Sequence, residues 1–136
     1  MDMLIDFPGG ARVDAHFGGL TLKTDQPPQG GGQGSAPTPF NTFLASVGTC
    51  AGIYVLGFCR RHGIATDGIR LLQRVDADPL TGMVGRISVE IQVPPGFPEE
   101  YRPALIRSAA QCAVKKHLEQ PPVIDVTTKT TSPATA

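Results

Sequence analysis

The stretch from Thr42 to Cys59, TFLASVGTCAGIYVLGFC, decides the fold of this chain. It contains 18 residues without a charge, and Arg60 and Arg61 follow it directly. An uncharged stretch of this length reaches the minimum for a membrane-spanning helix, but the central helix of a soluble protein can have the same composition. Two interpretations of the segment are therefore open.

Small and hydroxylated residues help to distinguish these two interpretations. Gly48 and Gly52 stand in the G-x-x-x-G spacing that lets membrane helices approach closely, but small residues suit a buried soluble helix equally well. Thr42, Ser46 and Thr49 make a membrane span less favourable. We therefore expect the central helix of a soluble protein, and a membrane-anchored interaction protein is one alternative function.

Capping residues mark both ends of this helix. Thr38 offers an N-cap, and Pro39 then occupies the first helical position. Gly63 is the expected C-cap, so a helix from about Pro39 to His62 is predicted. One apolar face comprises Phe40, Phe43, Leu44, Val47, Ala51, Tyr54 and Phe58. The other faces are nearly as apolar, and we expect the helix to be buried on all sides.

The chain before the helix predicts a hairpin and a loop. Residues 11–17 alternate imperfectly between apolar and polar, Gly18 and Gly19 supply a two-residue turn, and residues 20–24 alternate again. The segment from Pro27 to Pro37, PPQGGGQGSAP, has four glycines and no large apolar side chain. It is predicted to be a flexible loop.

The chain after the helix predicts two strands joined by a turn. Ile69 to Ala77 is a predicted strand, and residues 78–82, DPLTG, are a predicted turn. From Ile87 to Val93 apolar and polar residues alternate strictly. This pattern indicates a strand with one face in the core and one in water.

The last third predicts a helix and a final strand. Pro98 starts a helical region, Pro103 separates its first turn from a main helix running to about Leu118, and residues 123–131 are a predicted strand. The residues from Ser132 onward are expected to be a frayed tail. Strands, helix, strands, helix and strand form an α+β order rather than a βαβ repeat, and we expect one domain over residues 1–136.

The composition excludes several classes of protein. The chain has 136 residues and 14.3 kDa, which fits a single domain. Its 12 basic and 12 acidic residues cancel, whereas a nucleic-acid binder needs a basic excess. Three cysteines are too few for a secreted disulfide scaffold, and the N-terminus has no apolar run long enough for a signal peptide. We expect a cytoplasmic protein that binds neither nucleic acid nor membrane.

The thiols are the main candidates for chemistry. The sequence has no C-x-x-C, H-E-x-x-H or G-x-S-x-G motif, and its histidines are dispersed, so neither a metal nor a cofactor is expected. Cys50 and Cys59 lie about 180° and about 13.5 Å apart on one helix and cannot pair within it. Cys112 is expected in the middle of the second helix, where packing against the first could bring it to Cys50. On composition alone, the interpretation of each thiol as a small buried apolar residue is favoured.

Two stretches of the sequence resemble a known family. The stretch from Gly32 to Cys50, GQGSAPTPFNTFLASVGTC, continuing to Arg61, is similar to the loop-and-helix signature of the OsmC/Ohr family of osmotically induced and organic hydroperoxide resistance proteins. Residues 109–114, AAQCAV, followed by residues 121–124, PPVI, form the second match. The resemblance implies an α+β OsmC-like fold, in which two chains intertwine into a homodimer with long central helices flanked by curved antiparallel sheets.

The resemblance also implies an activity and roles for the cysteines. The implied activity is thiol-dependent reduction of organic hydroperoxides. Cys50 matches the peroxidatic cysteine, which becomes a sulfenic acid, and Cys112 matches the resolving cysteine, which forms a disulfide with it. An external thiol or dithiol reduces that disulfide. Cys59 matches neither role and is assigned to packing.

A cation is expected near the peroxidatic thiol. Burial alone raises the pKa of a thiol, and Arg60 and Arg61 lie about 15 Å along the same helix from Cys50. The family's activating arginine comes from the N-terminal strand region, where Arg12 is the only arginine. Phe40 occupies the position of the glutamate that partners this arginine in the hydroperoxide-resistance branch, so the chain looks like the broader OsmC-like branch.

Apolar residues near Cys50 predict a substrate pocket. Phe43, Val47, Ile53 and Tyr54 would suit an alkyl or aryl hydroperoxide better than hydrogen peroxide. The same residues could instead belong to the core. The alternative function that follows from the fold is a non-catalytic protein that binds small apolar or thiol-reactive ligands.

Overall fold

The N-terminal segment of the computed structural model, which describes residues 1–132, forms a three-stranded antiparallel sheet. Its strands are β1 (Leu4–Gly9), β2 (Arg12–Phe17) and β3 (Leu20–Leu22), paired in the order β1-β2-β3. The predicted hairpin is confirmed: the partners Phe17 and Leu20 flank the two glycines, which both have positive φ. Strand β1 was not predicted.

A buried carboxylate organises the loop that leads to the central helix. The Asp25 carboxylate accepts hydrogen bonds from the backbone N–H groups of Gln26, Gln33 and Ser35 and from the Ser35 hydroxyl. Gly32 lies against this turn, and a Cβ there would stand 2.6 Å from an Asp25 carboxylate oxygen. The segment is a loop as predicted, with one short 3-10 turn at Pro28–Gly30. Its predicted flexibility stays a prediction.

The central helix α1 spans Pro39–Arg61, within one residue of its predicted end. The Thr38 hydroxyl accepts a hydrogen bond from the Asn41 N–H at 3.2 Å, which confirms the N-cap. Its buried residues are Ala51, Val55, Phe58 and Cys59. The expectation of burial on all sides is wrong for this chain, because Phe40 and Ile53 are 53% and 57% exposed.

By length and composition α1 could cross a membrane. One such helix is weak evidence, because the core helix of a soluble protein meets the same criteria. The buried end of α1 contributes Val55, Phe58 and Cys59 to the core cluster, together with Phe97 and Leu105. Within the chain this part of α1 is therefore a core helix.

The second sheet covers one side of α1. Strands β4 (Arg70–Ala77) and β5 (Val84–Gln92) pair antiparallel, in agreement with the two predicted strands. In the connecting turn the Asp78 carboxylate accepts hydrogen bonds from the N–H groups of Leu80 and Thr81. Along β5 the more buried side chains alternate with exposed ones, as the sequence pattern predicts.

The second helical region consists of two helices rather than one. After a 3-10 turn at Glu99–Tyr101, helix α2 spans Arg102–Ala109 and helix α3 spans Ala113–Glu119. The prediction of a continuous main helix is wrong at Cys112, which has extended backbone (φ −47°, ψ 127°) and caps α3. No glycine or proline marks this break in the sequence.

The predicted last strand is absent from the described residues. Residues 121–132 have no regular secondary structure, and Val123, Ile124 and Val126 are 87%, 82% and 91% exposed. The alternating residues favour extended backbone, but a strand needs a neighbouring strand for its N–H and C=O groups. Within residues 1–132 no strand edge pairs with this segment. The predicted tail beyond Ser132 lies outside the described residues.

Candidate functional site

The structure brings Cys50 and Cys112 together. Cys50 lies half-buried on α1, and Cys112 lies fully buried at the start of α3. The two thiols are close enough for each to shift the pKa of the other, and both are free. The predicted juxtaposition of the two thiols is present, although Cys112 stands at a helix start and not in the middle of a helix.

Backbone amides lower the pKa of Cys50. The Val114 N–H makes the largest contribution, burial opposes it, and the Cys112 thiol and the Ala113 N–H add to the lowering. The first N–H groups of a helix have no acceptor within the helix, so they are free to bind an anion. The donors that favour the Cys50 thiolate are thus amides of α3, which sequence reasoning missed.

The surroundings of Cys112 have the opposite effect. Only 2% of Cys112 is exposed, and this burial is the main reason that its pKa is raised. The proximity of Cys50 raises it further, while the Lys115 N–H lowers it. The pair therefore contains one thiol that favours the thiolate and one that favours the protonated form. Environments that separate two neighbouring pKa values in this way are typical of catalytic pairs.

Cys59 lies apart from this pair. It is completely buried beside Val55 and Phe58, and burial raises its pKa. These surroundings agree with its assignment to packing, because a protonated thiol in an apolar core behaves as a small hydrophobic group.

Arg12 lies on β2 and pairs with Asp14. Its guanidinium makes an ion pair and hydrogen bond with the buried carboxylate of Asp14. Arg12 is not among the groups that shift the pKa of Cys50. Its role as activator therefore stays a prediction. The described residues contain no group of three or more His, Cys, Asp or Glu side chains that could hold a metal ion.

A cavity of about 440 Å³ opens beside Cys112, between α1, β5, α2 and α3. This volume is sufficient for a small organic ligand. Most of its lining is apolar, and two cations, Arg86 and Lys115, border it. The lining residues are Val47, Ala51, Val84, Gly85, Arg86, Ile87, Val89, Ile91, Ile106, Ala109, Ala110, Cys112, Lys115 and Leu118.

Of the predicted pocket residues, Val47 alone lines this cavity. Phe43, Ile53 and Tyr54 are absent from its lining, and Ile53 points largely to solvent. The walls that sequence reasoning missed come from β5 and α2. Alternation along β5 predicted an apolar face, but the sequence did not show that this face lies beside a cysteine.

One protein family matches the sequence. The family described as OsmC-like protein matches residues 32–127, which include α1 and both cysteines of the pair. No curated protein matches the sequence significantly.

Solved structures share the fold. A proposed osmotic stress induced and detoxification response protein from Psychrobacter arcticus 273-4 is 21% identical, with a TM-score of 0.67 over 84% of this chain and 85% of that chain. An organic hydroperoxide resistance protein OsmC from Legionella pneumophila, also described as a predicted redox protein, is 20% identical, with a TM-score of 0.52 over 87% and 89%. An OsmC-like protein of unknown function from Vibrio cholerae is 10% identical, with a TM-score of 0.60 over 87% and 92%.

Proposed function

The chain belongs to the family of OsmC-like proteins, and from this premise we propose that it is a thiol-dependent peroxidase that reduces organic hydroperoxides. The observation that carries the proposal is the contact between Cys50 and Cys112, whose pKa values shift in opposite directions. A solved structure of similar fold is described as an organic hydroperoxide resistance protein, which supports the same redox theme.

The first step oxidises Cys50. Its thiolate attacks the terminal oxygen of the hydroperoxide, the O–O bond breaks, and the alkoxide leaves as an alcohol after taking up a proton. The sulfur loses two electrons and becomes a sulfenic acid, while the peroxide is reduced. A lowered pKa favours this step because the thiolate is the nucleophile.

The second step forms a disulfide. The sulfur of Cys112 attacks the Cys50 sulfenic sulfur, the S–O bond breaks, and hydroxide leaves with the Cys112 proton as water. An external thiol or dithiol then reduces the disulfide and restores both thiols. The proximity of the two side chains supports this step.

The cavity supports an organic rather than an inorganic peroxide. Its walls are mainly aliphatic, and it reaches Cys112, which contacts Cys50. An alkyl or aryl group would gain free energy by leaving water for such walls, whereas hydrogen peroxide would gain none. Phe43, Ile53 and Tyr54 belong to the proposed substrate contacts only as predictions from the sequence.

We further propose a cytoplasmic homodimer. Apolar side chains are exposed on two elements and on the C-terminal segment of the single chain, and a second copy would cover them. They include Leu4 and Phe7 on β1, Phe40 and Ile53 on α1, and Val123, Ile124 and Val126 near the C-terminus. Arg12 remains the proposed activating cation within this assembly. The cytoplasm fits because its thiol pools would keep the cysteines reduced between turnovers.

A stopped-flow assay tests the peroxidase. Reduced protein is mixed with cumene hydroperoxide in the presence of dithiothreitol, and peroxide consumption is followed for the native chain, Cys50→Ser and Cys59→Ala. We expect Cys50→Ser to lose at least about 100-fold of the rate, because its hydroxyl is not ionised at neutral pH. Cys59→Ala is the matched control on the same helix and should retain the rate. Unchanged turnover in Cys50→Ser would remove the mechanism.

The products of one turnover test the order of steps. After one equivalent of hydroperoxide and no reductant, mass spectrometry should find a Cys50–Cys112 bridge and a loss of two hydrogens. Cys112→Ser should instead stop at an oxidised Cys50. An intact reduced protein in both cases would favour the second candidate function, a ligand-binding protein, which the apolar cavity supports.

A further inference from the structure

Cys112 connects two helices through its sulfur. The Cys112 thiol points to the Val47 carbonyl of α1 at 3.9 Å, and the Lys115 N–H of α3 donates to the same sulfur at 3.5 Å. Val47 precedes Cys50 by less than one helical turn. The sulfur therefore joins the first turn of α3 to the part of α1 that carries Cys50.

Helix α3 depends on such contacts for its position. It has seven residues and no buried side chain, and Val114 is its one half-buried residue. Isolated helices shorter than about 12 residues are marginal in water. Packing contributes little here, so the caps at the first turn are the principal local contacts that hold α3 against α1.

Amides of this first turn lie close to the two sulfur atoms. The N–H groups of Ala113 and Val114 lower the pKa of Cys50, and the N–H of Lys115 donates to Cys112 at 3.5 Å. We propose that Cys112, beyond any resolving role, is a positioning residue that caps α3 and thereby holds the Ala113 and Val114 amides on Cys50. The proposal rests on the proposed function, since it concerns how the Cys50 thiolate is formed.

Charged side chains around the pair do not replace these amides. Lys115 borders the cavity, but its ammonium group makes an ion pair with Glu119 at 2.7 Å. Arg86 borders the same cavity from β5. Neither cation contributes to the shift of the Cys50 pKa, which comes from amides and the Cys112 thiol.

Serine and alanine at position 112 separate the two roles. Both substitutions abolish a disulfide, but serine is a strong N-cap and alanine is not. The test is the rate of alkylation of Cys50 by monobromobimane between pH 5 and pH 10, on reduced protein, with the labelled peptide identified by mass spectrometry.

We expect the midpoint of this pH profile to rise in Cys112→Ala, with labelling at neutral pH slowed about tenfold, which corresponds to one pKa unit. Cys112→Ser should stay within about threefold of the native rate, because its oxygen accepts the Lys115 N–H. Identical profiles for the two variants would overturn the proposal, since loss of the cap would then leave Cys50 unchanged.

A third variant of Cys112 controls for misfolding. Cys112→Val fills the buried space and lacks a cap, so it should shift the profile as alanine does, and circular dichroism shows whether each variant is folded. A native profile in folded Cys112→Val would contradict the proposal. Alkylation needs no peroxide, so this test stands even if the native chain fails to consume hydroperoxide.

Discussion

Cys50 and Cys59 lie on the same helix but have opposite pKa shifts. Cys59 is completely buried among apolar side chains, and burial raises its pKa. Cys50 also loses solvent contact, but the amides of α3 outweigh that effect and its pKa is lowered. The comparison teaches that hydrogen-bond donors, and not depth alone, decide which thiol of a helix favours the thiolate.

The largest expected effect is a difference in labelling. At pH 7 a thiolate-directed alkylating reagent should modify Cys50 at least about 100-fold faster than Cys59, equivalent to about 2.7 kcal/mol. Cys59 must wait for local unfolding, whereas Cys50 is half-exposed. Peptide mapping of partially labelled native protein measures the ratio. Comparable alkylation rates at Cys50 and Cys59 would contradict the proposed difference between the two thiols.

A smaller effect is expected on stability. Cys59→Ser places a hydroxyl in the apolar core, and it should unfold more easily than Cys59→Ala by about 1–3 kcal/mol in urea titrations. The corresponding pair at Cys50 should differ by less, because a serine there can accept the α3 amides. Equal stability of Cys59→Ser and Cys59→Ala would mean that the hydroxyl finds a backbone carbonyl.

The smallest expected effect concerns the pH dependence of stability and a third acidic group, the Asp25 carboxylate. It is buried, but the Ser35 hydroxyl and N–H, followed by the Gln26 N–H, lower its pKa to about 2. A depressed pKa contributes stability that is present above the unfolded pKa of about 4 and is lost as the pH falls towards 2. The free energy of unfolding, measured in urea, should fall between pH 6 and pH 2, and this fall should be smaller in Asp25→Asn. If the pH dependence of the free energy of unfolding is unchanged in Asp25→Asn, other carboxylates cause the acid sensitivity.

Local patterns were sufficient for most of the fold. The N-cap at Thr38, the paired glycines 18 and 19, and the alternation along β5 act over a few residues, so helix, hairpin and strand could be predicted from neighbours in the sequence. Strand β1 escaped prediction because the strand residues Leu4–Gly9 are all exposed and include a proline and a glycine, which weaken the pattern.

The candidate site was only partly predictable. The resemblance picked out Cys50 and Cys112, and the structure brings them into contact. It did not indicate that Cys112 caps α3, because no breaker residue precedes it and cysteine is not among the residues that usually cap helices, although its sulfur receives the Lys115 N–H. The cavity walls from β5 could not be assigned either, because alternation identifies an apolar face but not what lies opposite it.

By itself the sequence determined the central helix and the α+β order of elements, because caps and periodicity are properties of adjacent residues, and its resemblance to a family singled out two of the three cysteines. Only the tertiary structure decided which thiol favours the thiolate. That choice depends on amides from a helix more than 60 residues further along the chain, and a pKa responds to donors that are near in space, however distant they are in sequence.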